Sequence, residues 1–226
     1  MTRTISTVAA SIIILALIAF FLTSKHTQAS PSALPAAALD DTLATTPGQE
    51  TIVVSGGCFW GIQAVFEHVK GVTSATAGYA GGTAATADYE TVSSGDTGHA
   101  ESVKVVYDPS KITLGQILRV FFSVAHDPTE LNRQGPDYGK QYRSAIFYTT
   151  ENQKKIAEAY IKQLNQAKVF SDPIVTQLNS NSGFYAAEDY HQDYATKHPG
   201  NPYILFNDAP KVEHLHQQFP DLYKAQ

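Results

Sequence analysis

One cysteine, Cys58, occurs in the chain, within Gly56-Gly57-Cys58-Phe59-Trp60-Gly61. Just before it, Thr51–Ser55 is a β-branched run that reads as a strand. Just after it, Ile62, Val65, Phe66 and Val69 recur at helical spacing, and Gly71 supplies a stop. The two glycines therefore turn the chain from strand to helix, and Cys58 falls in the helix's first turn. Unpaired N–H groups and the positive end of the helix dipole favour a thiolate there. Such positions bring a thiol into the nucleophilic range at neutral pH. The plain alternative is a small buried hydrophobe, which is what most lone cysteines are. The aromatic pair Phe59-Trp60 speaks against it, because bulky rings beside a thiol in a turn build an apolar pocket. A single cysteine also excludes an intramolecular disulfide and a thiolate metal cage.

Other side chains suit proton transfer or polar recognition. Ser94-Gly95-Asp96-Thr97-Gly98-His99-Ala100-Glu101 leads into the strand Ser102–Tyr107. An acid at the mouth of a strand is partly desolvated, which raises its pKa and lets Glu101 donate a proton. Taken alone, Glu101 also reads as a solvated loop carboxylate. Asp137-Tyr138-Gly139-Lys140-Gln141-Tyr142 runs from a polar loop toward another strand, and Tyr89 lies in the first long loop. Their hydroxyls suit a polar substrate atom or a water, although a chain with 12 tyrosines has many that only pack. His191, His198, His214 and His216 lie in the C-terminal quarter without acidic or cysteine partners at a metal-ligand spacing, so no metal is expected.

The elements that must position these groups follow from the pattern. Of 226 residues, 43% are hydrophobic and 16% charged, which fits a globular domain and excludes a disordered chain or a polytopic membrane protein. Acids outnumber bases 21 to 16, which argues against a nucleic-acid surface. Strands are expected at Thr51–Ser55, Val72–Tyr79, Ser102–Tyr107 and Arg143–Thr149. Helices are expected from Ile62, from Leu114 to Phe121, and over Glu151–Lys168. Ile174–Leu178 reads as a further strand, and Val212, Leu215 and Phe219 mark a last short helix. Gly81–Ala100 and Asp127–Gln141 read as long, functional loops. The order strand–helix–strand–strand–helix–strand predicts an α+β, ferredoxin-like split βαβ sandwich, two helices on a mostly antiparallel sheet.

Residues 8–22 are 15 consecutive apolar or small residues, preceded by Arg3 and followed by Lys25 and then Thr27-Gln28-Ala29. That length suits the core of a signal peptide better than a membrane span. Residues 1–29 are therefore expected to be a signal peptide or, failing cleavage, an N-terminal membrane anchor. Residues 30–50, rich in Ala, Ser, Thr and Pro, read as a flexible linker. The domain is assigned to 51–226, and the protein is expected to be exported, periplasmic or otherwise extracytoplasmic.

Several of these motifs, in order, resemble the A-type peptide methionine sulfoxide reductases. The resemblance runs from about Thr51 to Pro202. It rests on Gly-Cys-Phe-Trp-Gly (57–61), Gly-Tyr-Ala-Gly-Gly (78–82), Gly-Asp-Thr-Gly-His-Ala-Glu (95–101), His-Asp-Pro-Thr (126–129) and Arg-Gln-Gly-Pro-Asp-Tyr-Gly-Lys-Gln-Tyr-Arg-Ser (133–144). It implies that Cys58 attacks the sulfoxide sulfur and becomes a sulfenic acid, while Glu101 protonates the departing oxygen. Tyr89, Asp137 and Tyr142 would hold that oxygen or a water beside it. Phe59 and Trp60, with Gly57, would form the substrate-binding wall. It also implies methionine S-sulfoxide, free or in proteins, as substrate and no bound cofactor. Many members carry later cysteines that resolve the sulfenic acid. This chain has none, so an external thiol, a thioredoxin-like protein or a small thiol, is expected to do so. Members also often have Asn-Pro shortly before the loop tyrosine, where this chain has Ala84–Asp88 (AATAD). Two other readings are an exported Cys/His acyl-transfer hydrolase, using Cys58 with His99 or His126, and a non-enzymatic binding module. The hydrolase leaves Glu101 and the aromatic pair unexplained.

Overall fold

Strand β1 (Glu50–Ser55) is buried on both faces. Its period-two alternation sends Ile52 and Val54 into one cluster and Val53 into another with Ala80, Ala100, Ala145 and Phe147. Beside it lie β2 (Val72–Ala80), β3 (Ala100–Tyr107), β4 (Ala145–Tyr148), β5 (Gln177–Ser180) and β6 (Phe184–Ala186). The computed structural model describes residues 33–225. In it these strands form one sheet in the order β5-β4-β1-β3-β2-β6. Every pairing is antiparallel except β4 with β5. The register sets Val54 opposite both Val103 and Ile146, so β-branched side chains meet across three central strands.

Helices cover the Ile52 face. Helix α1 (Phe59–Glu67) supplies Phe59, Ile62, Val65 and Phe66; α2 (Leu114–Val120) supplies Leu114, Ile117 and Leu118. Helix α3 (Glu151–Ala167) adds Ile156, Tyr160 and Leu164, and α4 (Ala209–Gln218) adds Leu215. The fold is therefore α+β with a mostly antiparallel sheet. Among the described residues, four helices, rather than the expected two, share its main core. Helix α2 starts with a capping box, Thr113 with Gln116, and runs on into a π-type turn, Phe121–Ala125.

Three expectations change. The loop 81–99 has structure of its own: a 3₁₀ turn at Ala84–Thr86 and a helical turn at Tyr89–Ser93, whose cap is Asp88 accepting from the Thr91 N–H. The strand expected at Ile174–Leu178 lies later, at Gln177–Ser180. The Val175 N–H is taken by the Pro128 carbonyl, and ladder bonding to the β4 side begins with the Gln177 N–H on Ser144. Residues 33–49, expected as flexible linker, form a strap across α2 and α3. The Leu34 N–H donates to Ser123 Oγ and the Arg119 Nε to the Leu34 carbonyl. The Tyr160 hydroxyl donates to Pro35 O, and Gln163 bonds at Ala36 and Ala38. Asp40 accepts from Gly115 N at 2.7 Å and from the Thr113 hydroxyl at 2.5 Å, capping α2 a second time. Side chains of two helices thus satisfy the strap's backbone, which composition alone does not foretell. The expected signal peptide or anchor, residues 1–29, lies outside the described residues.

Candidate active site

β1 ends at Ser55, and the chain must reverse within three residues to start α1. Gly57 makes the turn at φ +97°, and a Cβ there would meet Gln134 Cγ at 2.6 Å. Its N–H donates to the Tyr142 carbonyl at 3.1 Å, tying the turn to the loop 127–142. Gly57 is thus placed as a backbone hinge of the site. Cys58 follows as the N-cap of α1, with 8% of its surface exposed.

Glu101, one residue into β3, lies against that turn. It is 3% exposed, and its Oε2 accepts the Phe59 N–H at 3.1 Å. Burial pushes its pKa up to about 8. The Phe59 N–H opposes this, the Asp137 charge adds to it and the Cys58 thiol donates against it. At neutral pH Glu101 holds a proton in a site that can release it. Cys58 departs from expectation. Burial pushes its thiol well above the usual range, and Glu101 and then Asp208 push the same way. The Trp60 N–H and Lys211 pull it down by less. The helix terminus is there, but desolvation and two carboxyls outweigh it.

Tyr89 comes from the loop 81–99, and Asp137 and Tyr142 from the loop 127–142. Burial raises the Tyr89 phenol, followed by the Glu101 charge. It raises that of Tyr142 too, followed by Glu101, Asp137, Tyr89 and Cys58. Asp137 is half-buried and raised by desolvation, with the Tyr203 hydroxyl donating to its Oδ2 and pulling it back. The charge of Glu101 thus acts on both phenols, and that of Asp137 on Tyr142 and Glu101.

The two aromatic side chains after Cys58 pack among partners the sequence did not show. The Phe59 ring is fully buried, 5.0 Å from the His191 ring and 5.9 Å from Tyr79. Trp60 stacks on Tyr194 at 3.8 Å and meets Tyr203 edge-on at 5.9 Å. Its indole N–H donates to His191 Nδ1 at 3.2 Å, and Tyr89 lies 4.4 Å from the same imidazole. His191, weighed in the sequence only as a metal ligand, is a buried, ring-packed partner of the indole. Glu188 receives the Tyr79 hydroxyl and the Tyr89 N–H.

The two histidines a hydrolase would need are engaged elsewhere. His99 Nδ1 accepts from Gly82 N, and Nε2 lies 3.0 Å from the Thr83 carbonyl. His126 bonds the Phe121 carbonyl and the Ser144 hydroxyl, and burial lowers its pKa to about 3. Neither imidazole is oriented on Cys58, so the hydrolase reading has no support.

Tyr203, Glu188, Asp208 and Lys211 were missed in the sequence. They come from the Tyr- and Asp-rich region after β5, which lacks a helical or strand period. Tyr203 leads into a π-type turn, Ile204–Asp208, and Asp208 and Lys211 lie where that turn becomes α4. The one local signal is Pro210 at the head of a helix.

The model of the family described as Peptide methionine sulfoxide reductase matches residues 50–223. The Mesorhizobium japonicum protein named peptide methionine sulfoxide reductase MsrA 2 is 59% identical over 177 residues, 78% of this chain and 91% of that protein. A Synechocystis protein of the same name is 49% identical over 206 residues, 91% of this chain and 95% of its own length. Among solved structures, methionine sulfoxide reductase A of Corynebacterium diphtheriae is 38% identical with a TM-score of 0.57, covering 75% of this chain and 84% of that one. Reduced Mxr1 of Saccharomyces cerevisiae is 32% identical with a TM-score of 0.60, covering 70% and 94%.

Proposed function

The chain belongs to the peptide methionine sulfoxide reductase A family, and from that premise we propose how its site carries out thiol-dependent reduction of methionine sulfoxide. The observation that carries the reading is the Cys58–Glu101 pair, a buried nucleophile beside a carboxyl that is protonated at neutral pH. The sulfoxide methyl packs between Phe59 and Trp60, which brings the sulfoxide sulfur to Cys58 Sγ. Glu101 gives its proton to the sulfoxide oxygen, making the sulfur electrophilic as Sγ attacks, and takes up the proton that the thiol releases. Oxygen then passes from the substrate sulfur to Cys58. The sulfoxide leaves as the thioether, reduced by two electrons, and the thiol becomes a sulfenic acid. Tyr89, Asp137 and Tyr142 hold the oxygen during transfer, and Tyr203 fixes the Asp137 carboxyl. The S configuration at sulfur is part of the proposal and rests on the family resemblance.

Regeneration uses two external thiols. The first displaces the sulfenic oxygen as water and forms a mixed disulfide with Cys58; the second releases the Cys58 thiol and a disulfide product. A thioredoxin-like protein or a small thiol fits this role. We retain export to an extracytoplasmic compartment as a proposal, supported by the 15-residue apolar run at 8–22; N-terminal sequencing of the mature protein should begin near Ser30. The split βαβ reading is supported by the order β4-β1-β3-β2 within the sheet.

The test is single-turnover formation of methionine from pure S-sulfoxide. Cys58→Ser should leave less than about 1% of the wild-type rate, because the nucleophile is gone. Glu101→Gln keeps the shape without the transferable proton and should slow the step by about 10²–10⁴-fold. An unchanged rate in Glu101→Gln would move the acid role to Asp137.

A further inference from the structure

A buried ion pair lies over the first turn of α1, outside the set of groups assigned above. Asp208 is fully buried, and its Oδ1 accepts from Lys211 Nζ at 3.1 Å, while Oδ2 has no partner. The pair fits there because residue 61 is glycine. A Cβ on Gly61 would lie 2.1 Å from Asp208 Oδ1 and 2.8 Å from Lys211 Nζ. Gly61 is the third residue of the helix that Cys58 caps. The notch therefore seats an ammonium against the third residue of the helix whose cap carries the reactive sulfur.

The charges facing Cys58 are Glu101 from β3, Asp208 ahead of α4 and Lys211 on α4, with the Trp60 N–H from its own helix. The phenols of Tyr89, Tyr142 and Tyr203 face it too. Lys211 acts in turn on Asp137, Asp208 and the His126 imidazole. Among these groups Lys211 is the cation; the rest are acids, phenols and an imidazole held neutral. Its side chain is 17% exposed. A carboxyl-lined pocket that must pass through an anionic sulfur needs such a counter-charge.

We propose that Lys211, seated by Asp208 in the notch over Gly61, is a positioning residue of the reductase that holds negative charge on the Cys58 sulfur. Lys211 is bonded to Asp208, and its role in the reaction is exerted through Cys58. Asp208 has two opposed roles, anchoring the ammonium and opposing the thiolate. The inference rests on the reductase reading for its purpose, but not for its test, since thiol alkylation needs no sulfoxide.

The experiment is the pH profile of Cys58 alkylation by iodoacetamide in the full chain, with circular dichroism to verify folding. Lys211→Met should move the midpoint up by about 1 unit, the scale of losing one nearby opposite charge. Lys211→Arg should restore the wild-type midpoint. Asp208→Asn should move it down, because a like charge is lost while the amide oxygen still accepts from the ammonium. Opposite signs at two partners of one ion pair are what a merely structural role would not produce. Shifts of the same sign, or unmoved midpoints in folded variants, would overturn the proposal. If Lys211→Met does not fold, Lys211→Gln takes its place: its midpoint should rise likewise, and an unmoved midpoint would overturn the proposal. If the midpoints move as expected while wild-type enzyme fails to reduce the sulfoxide, the reductase reading falls and the assignment of Lys211 stands.

Discussion

Glu101 is held in a place where its charged form is disfavoured, and that has a cost away from catalysis. Its pKa in an unfolded chain is about 4.3, against about 8 in the fold. Between those values the unfolded state binds fewer protons than the native one. The contribution of Glu101 to stability is therefore complete below about pH 4 and is lost as pH rises through about 8. The melting temperature of wild type should fall from pH 5 to pH 9 by more than that of Glu101→Gln. Parallel slopes would show that Glu101 ionises freely in the fold. At this scale the sequence was most legible where one short segment holds the chemistry: Cys58 and its aromatic neighbours, and Glu101 at the start of a strand. It misled on the thiol. A helix terminus can be read from Gly-Gly-Cys, whereas the burial of Cys58 and the approach of Glu101 and Asp208 depend on residues 43 and 150 positions away.

Helix α1 shows two preferences in conflict at Gly61. Alanine is favoured over glycine in a helix by about 1 kcal/mol, yet a Cβ here would lie 2.1 Å from the Asp208 carboxylate, which is fully buried and has nowhere to go. The clash should win, so Gly61→Ala should lower the urea midpoint rather than raise it; a raised midpoint would show that the notch is slack. Helix α2 is stitched at its start to the strap by Asp40, on the Gly115 N–H and the Thr113 hydroxyl. Asp40→Ala should cost about 1 kcal/mol of stability, the usual value of a lost cap, with kcat unchanged. Denaturant unfolding and steady-state kinetics on the same sample read both. The main strands and helices were legible because their apolar periods are clean, as in Ile156, Tyr160 and Leu164 along α3. The strap was not, since Leu34 to Asp40 forms no periodic element and is fixed by Ser123, Arg119, Tyr160 and Gln163.

For the molecule as a whole, sulfur is confined to Cys58 and Met1. Once Cys58 is a sulfenic acid, nothing in its own chain can form a disulfide with it. Enzyme supplied with sulfoxide and no thiol should make one equivalent of methionine and stop, with Cys58 held as the sulfenic acid. Mass spectrometry of the Cys58 peptide checks this, and continued turnover under rigorous thiol exclusion would contradict it. The C-terminal quarter was the least legible part. Glu188, His191, Tyr203 and Lys211 gain meaning only when it folds back on α1, and no local pattern records that closure. The strap has a mechanical consequence. Tension applied at residue 33 is first borne in shear by its bonds to Ser123, Arg119, Tyr160 and Gln163, before any reaches β1, which ends three residues ahead of Cys58. Pulled from that end by optical tweezers, the protein should yield in two steps, a short peel of the strap and then the rupture of the sheet. Whatever holds the N-terminal side, the geometry around Cys58 is insulated from the first of them.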